Sequence, residues 1–561
     1  MGKFKAGTYE GTGNGKIGPI VCRVKFTDDA IKSVAITKHK EIRGIGWDLN
    51  TAPIDTFPKL IVDNQSLAIP SVVGAEATSL GILEAVADCC KQAGGNVDAL
   101  KKAHFNAPPK KSDETITVDI VVIGGGIAGL ATGISAIENG AKNVLLLEKQ
   151  GITGGSTARS GGKLIGAGTK WQRKQGIYDT PEMMLQYLQS IGGDALEVEK
   201  LKYFCDNAYD NLLWLEEMGH PVQDVEAIHK SIVPWRIHNS MGGGGMTEGQ
   251  GGEISTPMTH RFEKIGGKFS YNTTAKKLLT DADGTVVGVV ADRSDGSVLT
   301  VKAQAVAITT GGYAQNKAMC ARYPENAGYT TGVPNGNMGD GILLGIGAGA
   351  KNYDAPSLQT VYCNFASGCG INEEAGLIVS KTGKRVANEY TYMYHVGDAL
   401  SKAKSEIAWY IACPNDPHPT VQYAMTLDSI PKAESVEELA KLMGVDPAEF
   451  EKTVARYNQL AAQGEDKDFH KPLEFMYPLN GPLYFALQMG PIVTVTYGGL
   501  DIDMEARVRN DLNMPIKGLF AAGEVAFTGF YNREYPCCGT GNGFGLHYGR
   551  VAGRVAAHEL K

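Results

Sequence analysis

The stretch Thr117-Val118-Asp119-Ile120-Val121-Val122-Ile123-Gly124-Gly125-Gly126-Ile127-Ala128-Gly129 decides the fold of this chain. Its first seven residues are an apolar run suited to a strand buried on both faces of a parallel sheet. A glycine turn follows, then a helix-patterned stretch to Asn139, then a second strand from Asn143 to Leu147 that closes on Glu148. A G-x-G-x-x-G pattern alone is weak, but here it sits between strand and helix with an acid ending the next strand. That context predicts a Rossmann βαβ unit holding a dinucleotide. Gly124 permits the tight turn, Gly126 lets backbone approach a pyrophosphate, and Gly129 lets helix and strand pack closely. Ile127 and Ala128 open the helix whose N-terminus faces the phosphates. Glu148, with Lys149 beside it, is placed to accept hydrogen bonds from the adenosine ribose.

A second glycine- and hydroxyl-rich loop comes directly afterwards: Gly154-Gly155-Ser156-Thr157-Ala158-Arg159-Ser160-Gly161-Gly162. A nicotinamide domain has no use for it. A bound flavin does, because its pyrophosphate and ribityl chain run deep into the protein. Ala305 to Thr310 reads as another short strand, ending in Gly311-Gly312 and followed by Asn316. Leu519-Phe520-Ala521-Ala522-Gly523-Glu524 is a fourth, ending in an acid suited to ribityl hydroxyls. FAD is therefore expected between segments from both ends of the chain, with the region between them inserted.

Composition narrows the rest. The chain has 561 residues, too many for one hydrophobic core. Lys and Arg number 54 against 61 Asp and Glu, a net charge of −7 that argues against a nucleic-acid surface. The 71 glycines are almost twice the usual ~7% and cluster at points. They read as backbone brought close to a large phosphate-bearing cofactor. No secretory h-region and no apolar run long enough for a membrane span is seen, and the ten cysteines form no C-x-x-C. A cytoplasmic protein with reduced thiols and no metal site is the expectation. The linker Asn106-Ala107-Pro108-Pro109-Lys110-Lys111-Ser112-Asp113 marks a boundary after a first unit of alternating strands and a helix from Thr78 to Ala93.

Together the Rossmann motif, Gly154-Gly155-Ser156, Thr310-Gly311-Gly312, Gly339-Asp340-Gly341 and Ala522-Gly523-Glu524 resemble the FAD-binding domain of fumarate reductase and 3-ketosteroid dehydrogenase flavoproteins. The resemblance implies an α/β fold: a Rossmann-type FAD domain from residues 116–356 and 496–561, with an inserted cap over 357–495. Residues 1–104, through Gly7-Thr8-Tyr9-Glu10-Gly11, His39-Lys40-Glu41 and Gly74-Ala75-x-x-Thr78-Ser79, resemble the small α+β FMN-binding domain of some bacterial members; residues 105–115 link the two. In such domains a threonine after Gly-Ala usually carries flavin covalently. Here Glu76 stands there, and a carboxylate cannot form that ester as a hydroxyl does; Thr78 is a weak substitute. FMN is bound non-covalently, or the domain keeps its fold without flavin.

Two departures concern the substrate. Fumarate reductases carry a catalytic arginine shortly after Asn-Glu; the matching stretch, Asn388-Glu389-Tyr390-Thr391-Tyr392-Met393-Tyr394-His395, has Tyr392 or Met393 in its place. The histidine before Thr-x-Gly-Gly is also missing from Val493-Thr494-Val495-Thr496-Tyr497-Gly498-Gly499. A dicarboxylate needs cationic clamps, so fumarate is not the expected substrate. Tyr535-Pro536-Cys537-Cys538-Gly539-Thr540-Gly541-Asn542-Gly543 instead resembles the Tyr-Pro-Gly-Ala-Gly segment of ketosteroid dehydrogenases. The resemblance implies that the Tyr535 hydroxyl and the Gly539 N–H bind a ketone oxygen, with Gly541 and Asn542 at the flavin. Two neutral donors on a carbonyl stabilise the enolate formed as hydride joins or leaves the β-carbon.

The expected activity is reduction of a C=C bond conjugated to a carbonyl, on an apolar ketosteroid-like enone. FAD gives the hydride, and Tyr362, Tyr392, Tyr394 or Tyr497 gives the proton. Tyr390, Tyr392 and Tyr394 alternate as on one face of a strand. The same site run backwards is a dehydrogenase. An enoate reductase with Arg533 as carboxylate clamp is the runner-up, and an electron carrier without a substrate is the reading of another class. The electron donor, whether reduced flavin, NAD(P)H or a protein, stays open, as does direction.

Overall fold

The computed structural model describes residues 2–15, 18–41, 53–72, 75–105, 112–228, 233–239, 251–326, 329–363 and 376–560. Gly74 of the N-terminal motif, most of the linker and the glycine run Gly242–Gly245, read as a loop near the cofactor, lie outside them.

The first unit is a three-stranded antiparallel meander, β1 (Gly7–Asn14), β2 (Pro19–Phe26) and β3 (Ile31–Lys38), covered by helices α1 (Pro53–Asn64) and α2 (Glu76–Gln92). Ile20, Cys22, Val24 and Phe26 alternate inward from β2 and meet Ile82, Val86 and Cys89 of α2. Gly11 and Gly13 let α2 lie directly on β1: a Cβ there would come within 2.3 Å of the Ala85 oxygen and 2.0 Å of the Gly81 oxygen. A short helix, α3 (Val97–Lys102), completes the unit.

The second unit is built on β4 (Glu114–Ile123), helix α4 (Ile127–Glu138) and β5 (Val144–Leu147). In its eight-stranded sheet β4 lies parallel between β5 and the strand Val298–Ile308, which also pairs in parallel with Pro515–Ala521. Register aligns the strand ends: Ile308 is opposite both Ile123 and Ala521, and Ile123 is opposite Leu147. The four turns that follow therefore open on one edge, the C-terminal edge where doubly wound sheets bind ligands. This is the α/β Rossmann architecture that the sequence predicts.

The C-terminal helix Thr540–His558 lies along α4. Gly549 and Gly553, one turn apart, make this possible, since a Cβ would fall 2.4 Å from the Ala128 oxygen and 2.1 Å from the Thr132 oxygen. The glycine excess is thus not a cofactor signature throughout. Part of it packs backbone on backbone, in this helix pair and in the N-terminal unit.

A second sheet forms around the 17-residue strand Tyr484–Leu500, which pairs with Asn352–Cys363, Ala408–Ala412, Lys432–Ala433 and Thr330–Thr331, so it draws on residues to both sides of the expected insertion. Its apolar cores include Tyr410, Phe450, Tyr457 and Phe485. The alternating tyrosines here are not a strand: Tyr392 caps helix Met393–Lys402 and Tyr394 lies inside it. The spacing of two that suggested a strand face instead straddles a helix start. Among the described residues no helix is long and apolar enough to cross a membrane.

Two buried histidines tie stability to pH. His238 donates from Nδ1 to the Arg236 carbonyl and accepts the Thr169 hydroxyl at Nε2, and burial pulls its imidazole down to about 4. Burial, then Arg550 and Arg554, pulls His547 down to about 3. Both are neutral in the fold but take a proton near 6.5 when unfolded. The unfolded chain therefore holds more protons between pH 6.5 and about 4, and stability falls as pH falls through that window. Each histidine accounts for ~1.4 kcal/mol per pH unit. Chemical denaturation of wild type and His547→Gln between pH 6.5 and 5 should show a loss per pH unit smaller by about that amount in the variant. Equal slopes would refute a neutral buried imidazole.

Candidate active site

A cavity of about 710 Å³ runs along the C-terminal edge of the first sheet, within the roughly 300–1,000 Å³ of small-molecule sites. At one end Glu148 is buried, and its carboxylate accepts the Gly125 N–H at 2.7 Å and the Gln150 N–H at 2.8 Å. Burial raises its pKa, and these two N–H groups offset part of that rise. Lys149 pairs with Asp340 across the same end. Gly124, with φ of 107°, makes the turn. A Cβ on Gly126 would meet nothing nearer than the Gly154 oxygen at 4.0 Å, so the helix start faces open space.

Gly155, Ser156, Thr157, Ser160 and Gly161 line the middle. Opposite them stand Thr310, Gly311, Gly523 and Glu524. The Thr310 hydroxyl is buried with no partner among the described residues, as expected of a group that bonds a ligand. Glu524 accepts the N–H and the hydroxyl of Thr496, each at 2.8 Å, while burial raises its pKa. The far end is walled by Gln359, Val361, Ile492 and Thr494 of the second sheet, with Tyr392, Phe527, Tyr535, Cys538 and Gly539. Asn542 opens the C-terminal helix there and donates to the Ser160 hydroxyl and the Lys163 carbonyl.

An acid at one end, free helix-start space, glycine loops and unspent hydroxyls are the donor set that an adenine dinucleotide with a flavin needs. Ile127, Ala128, Lys149, Asp340, Gly541 and Asn542 also line the cavity. Gly129, Gly154, Gly162, Gly312, Asn316 and Gly339 do not line it; they shape it from behind. A Cβ on Gly129 would fall 1.9 Å from the Gly124 oxygen, and one on Gly312 would strike Thr496 and Glu524. Asn316 caps the helix Lys317–Cys320 and bonds the Met338 carbonyl. Besides Asn542 the cavity is lined by a second asparagine, Asn337, which sequence reasoning missed; it accepts the Ala314 N–H at 2.7 Å and bonds Glu524. Its position two residues before Gly339 was the available signal.

The catalytic candidates separate. Tyr535 and Gly539 line the cavity together. The Tyr535 oxygen accepts the Gly541 N–H at 2.7 Å, and the Gly539 N–H finds no acceptor among the described residues. Tyr392 lines it too, its hydroxyl 3.6 Å from the Cys538 sulfur. Tyr394 is turned away and donates to the Arg533 carbonyl. Tyr497 is buried behind the wall, stacked on Tyr531 at 5.2 Å, and Tyr531 stacks in turn on Tyr535 at 5.3 Å. The Tyr362 side chain lies outside the described part. Arg533 is exposed and absent from the lining. Burial raises the pKa of Tyr392, Tyr497 and Tyr535, which keeps each phenol protonated.

The FAD binding domain profile matches residues 119–541, and the chain belongs to that family. It is an FAD-dependent oxidoreductase. Urocanate reductase of Eggerthella lenta is 31% identical over 98% of this chain and 92% of its own length. An open conformation of a flavocytochrome c3 fumarate reductase superposes with a TM-score of 0.69 at 29% identity, over 79% of this chain and 78% of that one. The 3-ketosteroid-Δ4-(5α)-dehydrogenase of Rhodococcus jostii RHA1, solved with 4-androstene-3,17-dione, gives 0.65 at 28% identity, over 80% and 98%.

Replacing Glu148 with Ala strands two backbone donors at the adenosine end. Loss of charge-assisted bonds of ~1.5–3 kcal/mol weakens FAD retention about ten- to hundredfold. Titration of the apoprotein with FAD, followed by flavin fluorescence, measures this; unchanged affinity would remove Glu148 from the site.

Proposed function

We propose that the protein reduces a C=C bond conjugated to the carbonyl of an apolar ketone, with a 3-ketosteroid-like enone as the substrate class. The observation that carries this is the far end of the cavity, where Lys163, whose carbonyl accepts from Asn542, is the one charged residue among the described lining residues, and it is paired with Glu226. The other described cations of the lining are Lys149, paired with Asp340, and Arg159, which bonds the Gly332 carbonyl. A neutral carbonyl suits such a pocket and a carboxylate does not.

Bound FAD supplies the hydride. The chain does the rest. With its oxygen held by the Gly541 N–H, Tyr535 has its own proton free to donate to the substrate carbonyl. The Gly539 N–H is the second donor, and the pair stabilises the developing enolate. Tyr392 is the acid for the α-carbon. Of the four tyrosines considered it is the one whose described side chain lines the cavity, and its phenol stays protonated across the physiological range. Phe527 and Ile492 exclude water. Run in reverse, the same groups support dehydrogenation.

An enoate reductase is the second reading, favoured by the likeness to urocanate and fumarate reductases. Its clamp, Arg533, is exposed and off the cavity, which weighs against it. Anaerobic reoxidation of the reduced enzyme by matched enones and enoates separates the two: rapid bleaching by enones is expected, and bleaching by enoates alone would sink the ketone reading. Tyr535→Phe is expected to lower kcat/KM about 10²–10³-fold. Tyr392→Phe is expected to lower kcat about 10²–10⁴-fold. Full turnover in both variants would leave the proposed chemistry without its groups, as expected of an electron carrier.

We infer that the N-terminal unit carries no covalent FMN. Glu76 is exposed at the start of α2, and the Thr78 hydroxyl is buried and spent on the Glu41 carboxylate. The acid-denatured protein should have the mass of the bare chain; an increment equal to FMN overturns this.

A further inference from the structure

Gln359 is a buried amide with half of its hydrogen-bonding capacity unused. It sits on the strand Asn352–Cys363, opposite Val495, with 3% of its surface exposed, and it lines the cavity. Its Oε1 accepts the Thr494 hydroxyl at 3.0 Å. That bond ties the amide to the neighbouring strand. The Nε2, with two N–H donors, has no partner among the described residues. A donor pair on the cavity wall with no partner among the described residues is available to an acceptor on a ligand.

Position along the strand says which ligand supplies it. Thr496 holds Glu524, the acid placed at the ribityl chain. Thr494 lies two residues earlier on the same strand, about 7 Å along it, at a bulge in the pairing with Asn352–Cys363 that turns both Thr494 and Val495 to the cavity. That distance is the step from the ribityl chain to the ring system. An apolar ketone has one acceptor, and Tyr535 with Gly539 already serve it. The isoalloxazine ring, by contrast, is a resident group with several acceptor heteroatoms along its polar edge.

We propose that Gln359, oriented by Thr494, donates a hydrogen bond to an acceptor of the flavin ring and so holds the reduction potential of the bound FAD up. A ring that has taken electrons is a better acceptor than the oxidised ring, so the donor favours the reduced state. The inference rests on the reading that the flavin ring lies beside the substrate at the far end of the cavity, and its test needs no substrate.

The bound flavin's midpoint potential in wild type, Gln359→Leu and Thr494→Val holoenzyme, read by dye-linked reduction at equilibrium, decides it. In Gln359→Leu the ratio of affinities for reduced over oxidised FAD should fall about tenfold, a shift of ~30 mV to more negative potential for a two-electron couple. Thr494→Val, which frees the amide to turn, should shift it the same way by less. The visible flavin spectrum should change in both, while oxidised FAD stays bound. Gln359→Glu guards against a packing artefact: it keeps the shape and replaces the donors with an acceptor, so it should lower the potential at least as far as Leu. Unchanged potentials overturn the proposal, and so does a shift in Gln359→Leu that Gln359→Glu does not share. Altered enone affinity at constant potential also overturns it and reassigns Gln359 to the substrate. Failure of the ketone reading would leave every one of these potentials readable.

Discussion

The close contact of the C-terminal helix with α4 is the constraint on which the site depends. Gly549 and Gly553 remove the side chains that would hold the helices apart, and the Ala128 and Thr132 carbonyls fill the space. Because α4 starts at the phosphate turn, its partner's first residues are carried to the same place. Tyr535, Gly539, Gly541 and Asn542 thus reach the cavity more than 400 residues after the turn they face. A methyl group at Gly549 would push back the N-terminal half of the helix and with it the carbonyl donors.

Charge is managed by distance along the same cavity. The adenosine end keeps a buried carboxylate satisfied by backbone N–H groups and a Lys149–Asp340 pair. The far end keeps protonated tyrosines, an amide and a thiol. Stacking of Tyr497 on Tyr531 and of Tyr531 on Tyr535 gives the last of these rings a fixed plane, so that its hydroxyl is aimed by packing and by the Gly541 N–H together.

Much of the FAD half was legible because its demands are local. A strand, a turn with positive φ, a helix start and an acid on the next strand must follow one another within about thirty residues. Gly124, Gly126 and Glu148 could be read in that way. The far end was less legible, since Gln359, Ile492 and Thr494 reach it from two long antiparallel strands whose pairing, with its bulge at Thr494, only the fold reveals. Asn316 and Asn337 show the same limit: both are asparagines near glycines, and one caps a helix while the other faces the cavity. Tyrosines at spacings of two read as a strand because periodicity over five residues cannot distinguish a strand from a helix cap. The glycine count misled for a simpler reason, as close packing of two helices and close approach to a phosphate ask for the same residue.

The start of helix Met393–Lys402 grips the loop before the C-terminal helix at three points. Tyr392 meets Cys538, Tyr394 bonds the Arg533 carbonyl, and His395 faces Glu534 at 3.4 Å. The proposed acid and the proposed carbonyl donors thus belong to different segments that this grip helps to hold in register. Separation of the two by even a few ångströms dismantles the proton donor and the oxyanion site in one movement. On the proposed assignment, the two halves of the chemistry are complete only while these two segments stay together.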